Sequence, residues 1–366
     1  MNSRERFYNT MNHKESDRVP FDLGATTLTS IRPACQQNLL KILGITGVNK
    51  NSNGVYEEIL EWAGTDFRSV GAIVDLHSVH TRKISATAEI DCWGVRRDFI
   101  GGDWQITKSP LHGATIDDLK SFQWPKPIVN EELLKNWEKQ AKFLKEQNKY
   151  VVVAEHPIFG ILELGCWMCG FDDFFLKMLM EPDFVHLFFE KYLEIQLSII
   201  EQYYSVLGPY IDLTTSGDDF GTQSAPFISP DMFETFISPY FSERIKRTKE
   251  LSKCYYWHHS CGSVVDLIDE IIKCGVDILN PIQTSATGME PESLKERFGD
   301  RIVFWGAVDV QKFLPAAKVE EIPRHIKLLI ETMGKNGGYV MAPAHEIQED
   351  VPAENIVAWV ETVKKN

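Results

Sequence analysis

The chain of 366 residues is 43% hydrophobic and 25% charged, ordinary globular material with enough apolar residues for a large core. Fifty-two acidic against 38 basic residues leave a net charge of −14, which argues against a broad nucleic-acid surface. No apolar run approaches the roughly 20 residues that span a bilayer, so a membrane protein is set aside as well.

The opening, "MNSRERFYNTMNHKESDR", has no apolar leader pattern, and seven cysteines is an odd number. Both point to a reducing, cytoplasmic setting in which cysteines stay thiols or become metal ligands. "RVPFDLG" (18–24) and "DFRSVGA" (66–72) read as short strands in an otherwise irregular N-terminal third, about 1–130. The prolines of "PKPIVNEE" (125–132) lead into a charged helix around "LLKNWEKQAKFLKEQNK". β-rich runs then follow at 150–155, 210–219, 253–259, 276–281, 301–309 and 338–345. Helical periodicity covers 175–202, 230–252, 264–274 and 319–333. Strand alternating with helix implies a parallel sheet with helical crossovers. Eight strands are enough to close an α/β, (β/α)8 TIM barrel, here a single domain over 1–366. An open doubly wound sheet is the alternative, but no G-x-G-x-x-G follows the early strands, so a dinucleotide site has no support.

Nearly every predicted strand ends in polar or metal-capable residues. They are Glu155 and His156, Asp218 and Asp219, His258, His259 and Cys261, Asn280 and Gln283, Asp309 and Gln311, and His345 and Glu346. A barrel gathers its C-terminal strand ends at one mouth, where side chains remote in sequence meet. His259 and Cys261, two residues apart at a strand end, offer imidazole and thiolate, a donor pair that suits zinc. The bland alternative is a partly buried turn. His345, just past "YVMAPA", is the candidate third ligand. His258 falls on the opposite side of the pleat and reads as structural.

"CWMC" (166–169) lacks a second C-x-x-C, and its apolar flanks favour core packing. Cys35, Cys92, Cys254 and Cys274 have no ligand-like neighbours. In "SGDDFGTQ" (216–223), Ser229 downstream is the expected helix cap, which leaves Asp218 and Asp219 free for chemistry. Glu163 stands alone in an apolar stretch and is therefore paired or functional. His77, His80 and His112 read as surface histidines.

Over nearly the whole chain, from the opening "RERFYNTMNHKESDRVPFDLG" onward and most strongly from about 216 to 356, the sequence is similar to the uroporphyrinogen decarboxylase superfamily. "HSCGSVVDLIDEIIKCGVDILNPIQTSATGMEPESLKERFGDRIVFWGAVDVQKFL", "GGYVMAPAHEIQEDVPAENI" and "DDFGTQSAPFISPDMFETFISPYF" carry the resemblance. Within the superfamily it resembles the cobalamin-dependent methyltransferases, whose fold is a single (β/α)8 barrel. The resemblance implies zinc-dependent methyl transfer to or from a corrinoid carried by a small partner protein. It also implies an H-x-C zinc pair, matched by His259 and Cys261. A later cysteine ligand of that branch is replaced here by His345. One thiolate fewer makes the ion one unit more positive and a stronger Lewis acid, which favours a methoxylated donor over a thiol acceptor.

In that reading Glu163, Asp218 and Asp219 are the candidate catalytic carboxylates, with Glu163 or Asp218 a further ligand or an orienting group. Asn280, Gln283, Asp309 and Gln311 line the substrate pocket. The hairpin region "WGVRRDFIGGDW" (93–104) and the segment "TSIRPACQQN" frame the barrel mouth, where Arg96 and Arg97 steer the partner through its acidic surface. Three alternatives stay open: a methylcorrinoid:thiol or folate methyltransferase, a porphyrinogen decarboxylase, and a non-catalytic binding barrel. The decarboxylase reading is the weaker enzyme reading, because only Arg32 follows "RVPFDLG" where an arginine cluster would grip a polycarboxylate.

Overall fold

The computed structural model describes residues 1–73 and 81–366. His77 and His80 lie outside the described residues. Among the described residues, eleven strands form two sheets. In chain order they are β1 (Phe67–Val70), β2 (Arg82–Ser85), β3 (Ala88–Ile90), β4 (Arg96–Ile100), β5 (Asp103–Lys108) and β6 (Val151–Ala154). There follow β7 (Leu213–Thr214), β8 (Tyr255–His259), β9 (Ile278–Asn280), β10 (Val303–Val308) and β11 (Tyr339–Pro343).

Seven of these strands pair in parallel in the order β1-β6-β7-β8-β9-β10-β11, with helices in the crossovers. The two edges are joined by the segment around Phe21. Phe21 bridges Met341 in parallel, Met341 N–H donates to the Pro20 carbonyl, and Asp66 N–H donates to the Phe21 carbonyl. The result is a (β/α)8 barrel whose eighth stave is one ladder position long. A full strand was expected over 18–24. Pro20 has no N–H to give a ladder, and the Asp22 side chain accepts from Ala25 N–H at 3.1 Å, turning the chain away.

Proline also explains two helices that were expected to be continuous. The run 175–202 divides into Phe171–Met180 and Pro182–Leu207, with Pro182 opening the second helix where its missing N–H costs nothing. The run 230–252 carries a π-turn, Phe233–Ile237, ahead of Ser238–Ser252. Pro239 cannot donate to the preceding turn, and the widened turn absorbs the loss.

The second sheet, β2-β3-β4-β5, is antiparallel and largely exposed. Its last hairpin turns through Gly101 and Gly102, both at positive φ. The barrel interior is aromatic: the Phe67 and Trp305 rings lie 4.4 Å apart, and Trp257 meets Trp305 at 5.9 Å. Burying a side chain such as Phe67 contributes about 1.5–3 kcal/mol. No helix among the described residues is long and apolar enough to cross a membrane.

Candidate metal centre at the barrel mouth

Strand pleating sorts the end of β8. Trp257 faces Trp305 in the interior, while Tyr256 and His258 pack against Phe241 of the helix outside. His258 is fully buried, with Nδ1 2.7 Å from the Ser216 hydroxyl. His259, two residues after Trp257, falls on the interior side of the pleat.

The segment after β7 is laced to this strand. His259 N–H donates to the Ser216 carbonyl at 2.7 Å, and Asp218 N–H donates to the His259 carbonyl at 3.0 Å. Further out, Phe220 N–H donates to Ser260 Oγ and Ser263 N–H to the Thr222 carbonyl. The approach is close enough that a Cβ at Gly262 would sit 2.5 Å from the Thr222 oxygen, and Gly262 has φ +84°. Only glycine fits there.

The ligand atoms of His259, Cys261 and His345 all lie within 4.8 Å of one another. His259 Nε2 is 3.2 Å from Cys261 Sγ, and the two imidazole rings are 5.7 Å apart. Tetrahedral zinc with bonds of roughly 2.0–2.3 Å sets its ligand atoms about 3.3–3.8 Å apart, so the cluster needs only a small contraction to hold one. Burial, then the neighbouring His259, lowers the His345 pKa to about 4, which leaves a neutral imidazole with a free lone pair. Burial first, then Asp219 and Glu163, raises the Cys261 pKa. A bound cation reverses that cost by stabilising the thiolate. The donor set fits zinc.

The supporting residues are specific. His259 Nδ1 lies 2.6 Å from Asn280 Oδ1, and Asn280 Nδ2 donates to the Trp305 carbonyl at 3.1 Å. Gln283 Oε1 accepts from Gly262 N–H at 2.8 Å. Asp219 Oδ1 accepts from Cys261 N–H at 2.8 Å and stands 3.8 Å from His259 Nε2. Ser229 caps its helix through Met232 N–H, as expected. Asp218, however, is not free. Its two oxygens accept from Leu162 and Glu163 N–H at 3.0 and 2.9 Å, at the start of the helix Ile161–Cys169. Burial raises its pKa to about 7 against the pull of those two amides. Glu163 is pushed well above the usual carboxylate range by burial, then by Asp218 and Asp219.

Two other predicted residues have hydrogen-bond partners of their own. Asp309 is buried, with Oδ1 accepting from the amides of Gln311, Lys312 and Phe313. Gln311 is exposed and accepts from Ser285 Oγ at 3.3 Å. Cys166 and Cys169 are buried thiols with raised pKa values, Cys92 is half-buried, and His112 is exposed. Arg96 pairs with Asp98, Arg97 with Asp91, and Arg32 with Glu346.

Residues 107–366 match the family described as uroporphyrinogen decarboxylase (URO-D). The chain belongs to this family. Among solved structures, a methyltransferase from Methanosarcina mazei shares the fold over 100% of this chain and 99% of its own, with TM-score 0.66 and 16% identity. A B12-independent methionine synthase from Shewanella sp. W3-18-1 covers 96% of this chain and 95% of its own, with TM-score 0.42 and 13% identity. No curated protein matches the sequence.

One buried cation in this URO-D family chain escaped the sequence reading. Arg244 lies beneath the site, hydrogen-bonded to His156 and, at 3.4 Å, to the Phe159 carbonyl. A signal was present: Arg244 follows Phe241 by three residues and precedes Thr248 by four, so it shares their buried stripe. Its positive field lowers His156, after the larger effect of burial, and partly offsets the rise at Glu163.

Proposed function

We propose that the protein is a zinc-dependent methyltransferase that moves a methyl group from a methoxylated small molecule to a corrinoid carried by a partner protein. The observation that carries this reading is the convergence of His259, Cys261 and His345 at the barrel mouth, with two imidazoles and one thiol. When bound, zinc would act as a Lewis acid toward the donor oxygen. His259, Cys261 and His345 would hold it.

The surrounding residues orient and shield. Asn280 holds the His259 ring through Nδ1, and Asp219 holds the backbone of Cys261. Asp218 pins the first turn of the helix Ile161–Cys169, and so fixes where Glu163 departs from the backbone. Glu163, its pKa pushed up by burial and then by Asp218 and Asp219, stands beside the cluster. The methyl–oxygen bond would break with its electron pair left on oxygen, and the reduced corrinoid of the partner would supply the pair for the new bond to the methyl group. The described lining of the cavity beside the site holds no lysine or arginine to grip a polycarboxylate, which speaks against porphyrinogen decarboxylation.

The test is to incubate the zinc-loaded protein with a reduced corrinoid protein and a panel of methylated donors. The visible spectrum reports arrival of the methyl group. Spectral change with an O-methyl donor, dependent on zinc, is expected. Efficient methylation of thiols from a methylated corrinoid, with no donor active in the forward sense, would reverse the assigned direction.

A further inference from the structure

The helix Phe171–Met180 buries only one of its sides. Phe174 packs against Phe188 and Phe189 of the helix Pro182–Leu207, and Met178 is buried with it. On the opposite side Leu176, Leu179 and Met180, spaced i, i+3 and i+4, form one stripe and are 57, 68 and 72% exposed. The exposed Phe171 ring lies beside Phe175, and Phe175 stacks on the exposed Phe227 with ring centroids 5.7 Å apart. Single apolar residues are ordinary on a surface, but a contiguous patch of this size marks a binding face.

The patch is tied by backbone to the candidate metal centre. Phe227 N–H donates to the Phe220 carbonyl at 2.7 Å, and Phe220 N–H donates to the hydroxyl of Ser260, the residue between His259 and Cys261. At its far end His186 stacks on Phe236, with ring centroids 5.0 Å apart. The segments 171–190 and 218–241 thus run together as one rim, and a partner seated there reaches the barrel mouth.

Charge selects the partner. The segments 171–190 and 218–241 carry five and four acidic residues, against a single lysine or arginine, Lys177. Lys177 is buried and held by Asp173 and Glu181. Asp172, Asp183, Asp231 and Glu234 are exposed, and the exposed His112 lies 3.8 Å from Asp172. In a two-fold contact between copies of this chain, acid would face acid across the apolar centre. Arg96 and Arg97, expected to meet an acidic partner surface, are each matched within their own sheet by Asp98 and Asp91. The unbalanced charge on the rim is negative.

We infer that the patch formed by the helix Phe171–Met180 and Phe227 is the docking face for the corrinoid-carrying protein, whose matching surface is apolar with a rim of lysine and arginine. An apolar centre inside a charged rim is the ordinary anatomy of such a contact, and opposite charge speeds its formation. The partner's cofactor rests on the methyl-transfer reading; the surface and its charge do not.

The probes are the cobalamin-binding proteins of the source organism, each produced recombinantly, loaded with cobalamin and tested by biolayer interferometry against the zinc-loaded chain. The double variant Leu179→Ser, Met180→Ser is expected to weaken binding of one of them by about tenfold or more. It should raise KM for that protein as methyl acceptor and leave the rate with free cob(I)alamin unchanged. Asp172→Lys with Glu234→Lys should slow association by about tenfold at low salt, with the difference shrinking as salt is added. Undiminished binding by the Leu179→Ser, Met180→Ser chain overturns the inference. So does the failure of every cobalamin protein to bind, or a dimer of the unmodified chain that this pair of substitutions disperses. Methyl transfer to free cob(I)alamin without patch-dependent binding would sink this inference alone. Patch-dependent binding without transfer from any donor would leave the docking face standing and sink the proposed activity.

Discussion

Asn280 Oδ1 lies 2.6 Å from His259 Nδ1, and the Asn280 amide is itself oriented by its Nδ2 bond to the Trp305 carbonyl. The amide oxygen can only accept, so His259 carries its proton on Nδ1 and presents a bare Nε2 toward Cys261. Asn280→Leu removes the orienting acceptor while keeping similar volume. Zinc affinity is expected to fall by about 10- to 100-fold, read by competition with a chromogenic chelator. Unchanged affinity in a folded Asn280→Leu protein would show that the ring is held by packing alone.

The ligand assignment itself has a direct measure. Purified protein should contain about one zinc per chain, and His259→Ala or Cys261→Ala should lose it. Elemental analysis decides the matter, and full metal in both variants would end the zinc reading.

How far the sequence revealed this site follows from how local each signal is. The end of β8 was legible because an apolar run and an H-x-C pair are contiguous, and pleating alone separates His258 from His259. The role of Asp218 was not legible, since its partners Leu162 and Glu163 lie 56 and 55 residues upstream and no local pattern links them. The β2–β5 sheet was half seen: "WGVRRDFIGGDW" marks a hairpin, but "RKIS" and "AEI" are short and polar, without the alternation that announces a strand. The eighth stave was overestimated for the opposite reason, because 18–24 has a strand-like composition while Pro20 and Asp22 both oppose a ladder.

Asp22 gives a pH prediction. It is fully buried, accepts from Ala25 N–H and Thr29 Oγ1, and has its pKa raised to about 7, chiefly by burial. A carboxyl whose folded pKa exceeds its unfolded value of about 4 favours folding below that value and loses the contribution as pH rises toward 7. Asp22→Asn imitates the protonated form at every pH. Its urea-unfolding stability relative to the unmodified protein should therefore improve between pH 5 and pH 8, by an amount on the order of a few kcal/mol. A pH-independent difference would mean that Asp22 is ionised throughout.

Gly160 tests the packing beneath the site. Its backbone, φ −64° and ψ 161°, suits any residue, but an added Cβ would lie 2.2 Å from the Asp218 carboxyl carbon. Gly160→Ala must displace Asp218 from the Leu162 and Glu163 amides. A stability loss of roughly 1–3 kcal/mol is expected, with slowed methyl transfer in the folded fraction. Denaturation curves identical to those of the unmodified protein would show that the carboxylate has room the structure does not suggest.

His345 tests the link between donor set and reaction. Its imidazole is neutral, because burial and the adjacent His259 both lower its pKa. His345→Ala should weaken zinc strongly, whereas His345→Cys replaces one good donor with another and should keep the metal. The cysteine brings a negative charge, so the bound ion becomes a poorer Lewis acid toward an ether oxygen. Methyl transfer from a methoxylated donor is expected to slow by about tenfold, near 1.4 kcal/mol in the barrier, at full zinc occupancy. Stoichiometric zinc with an undiminished rate would mean that the charge on the ion does not limit the reaction, and the argument from one thiolate and two imidazoles to an oxygen donor would fail.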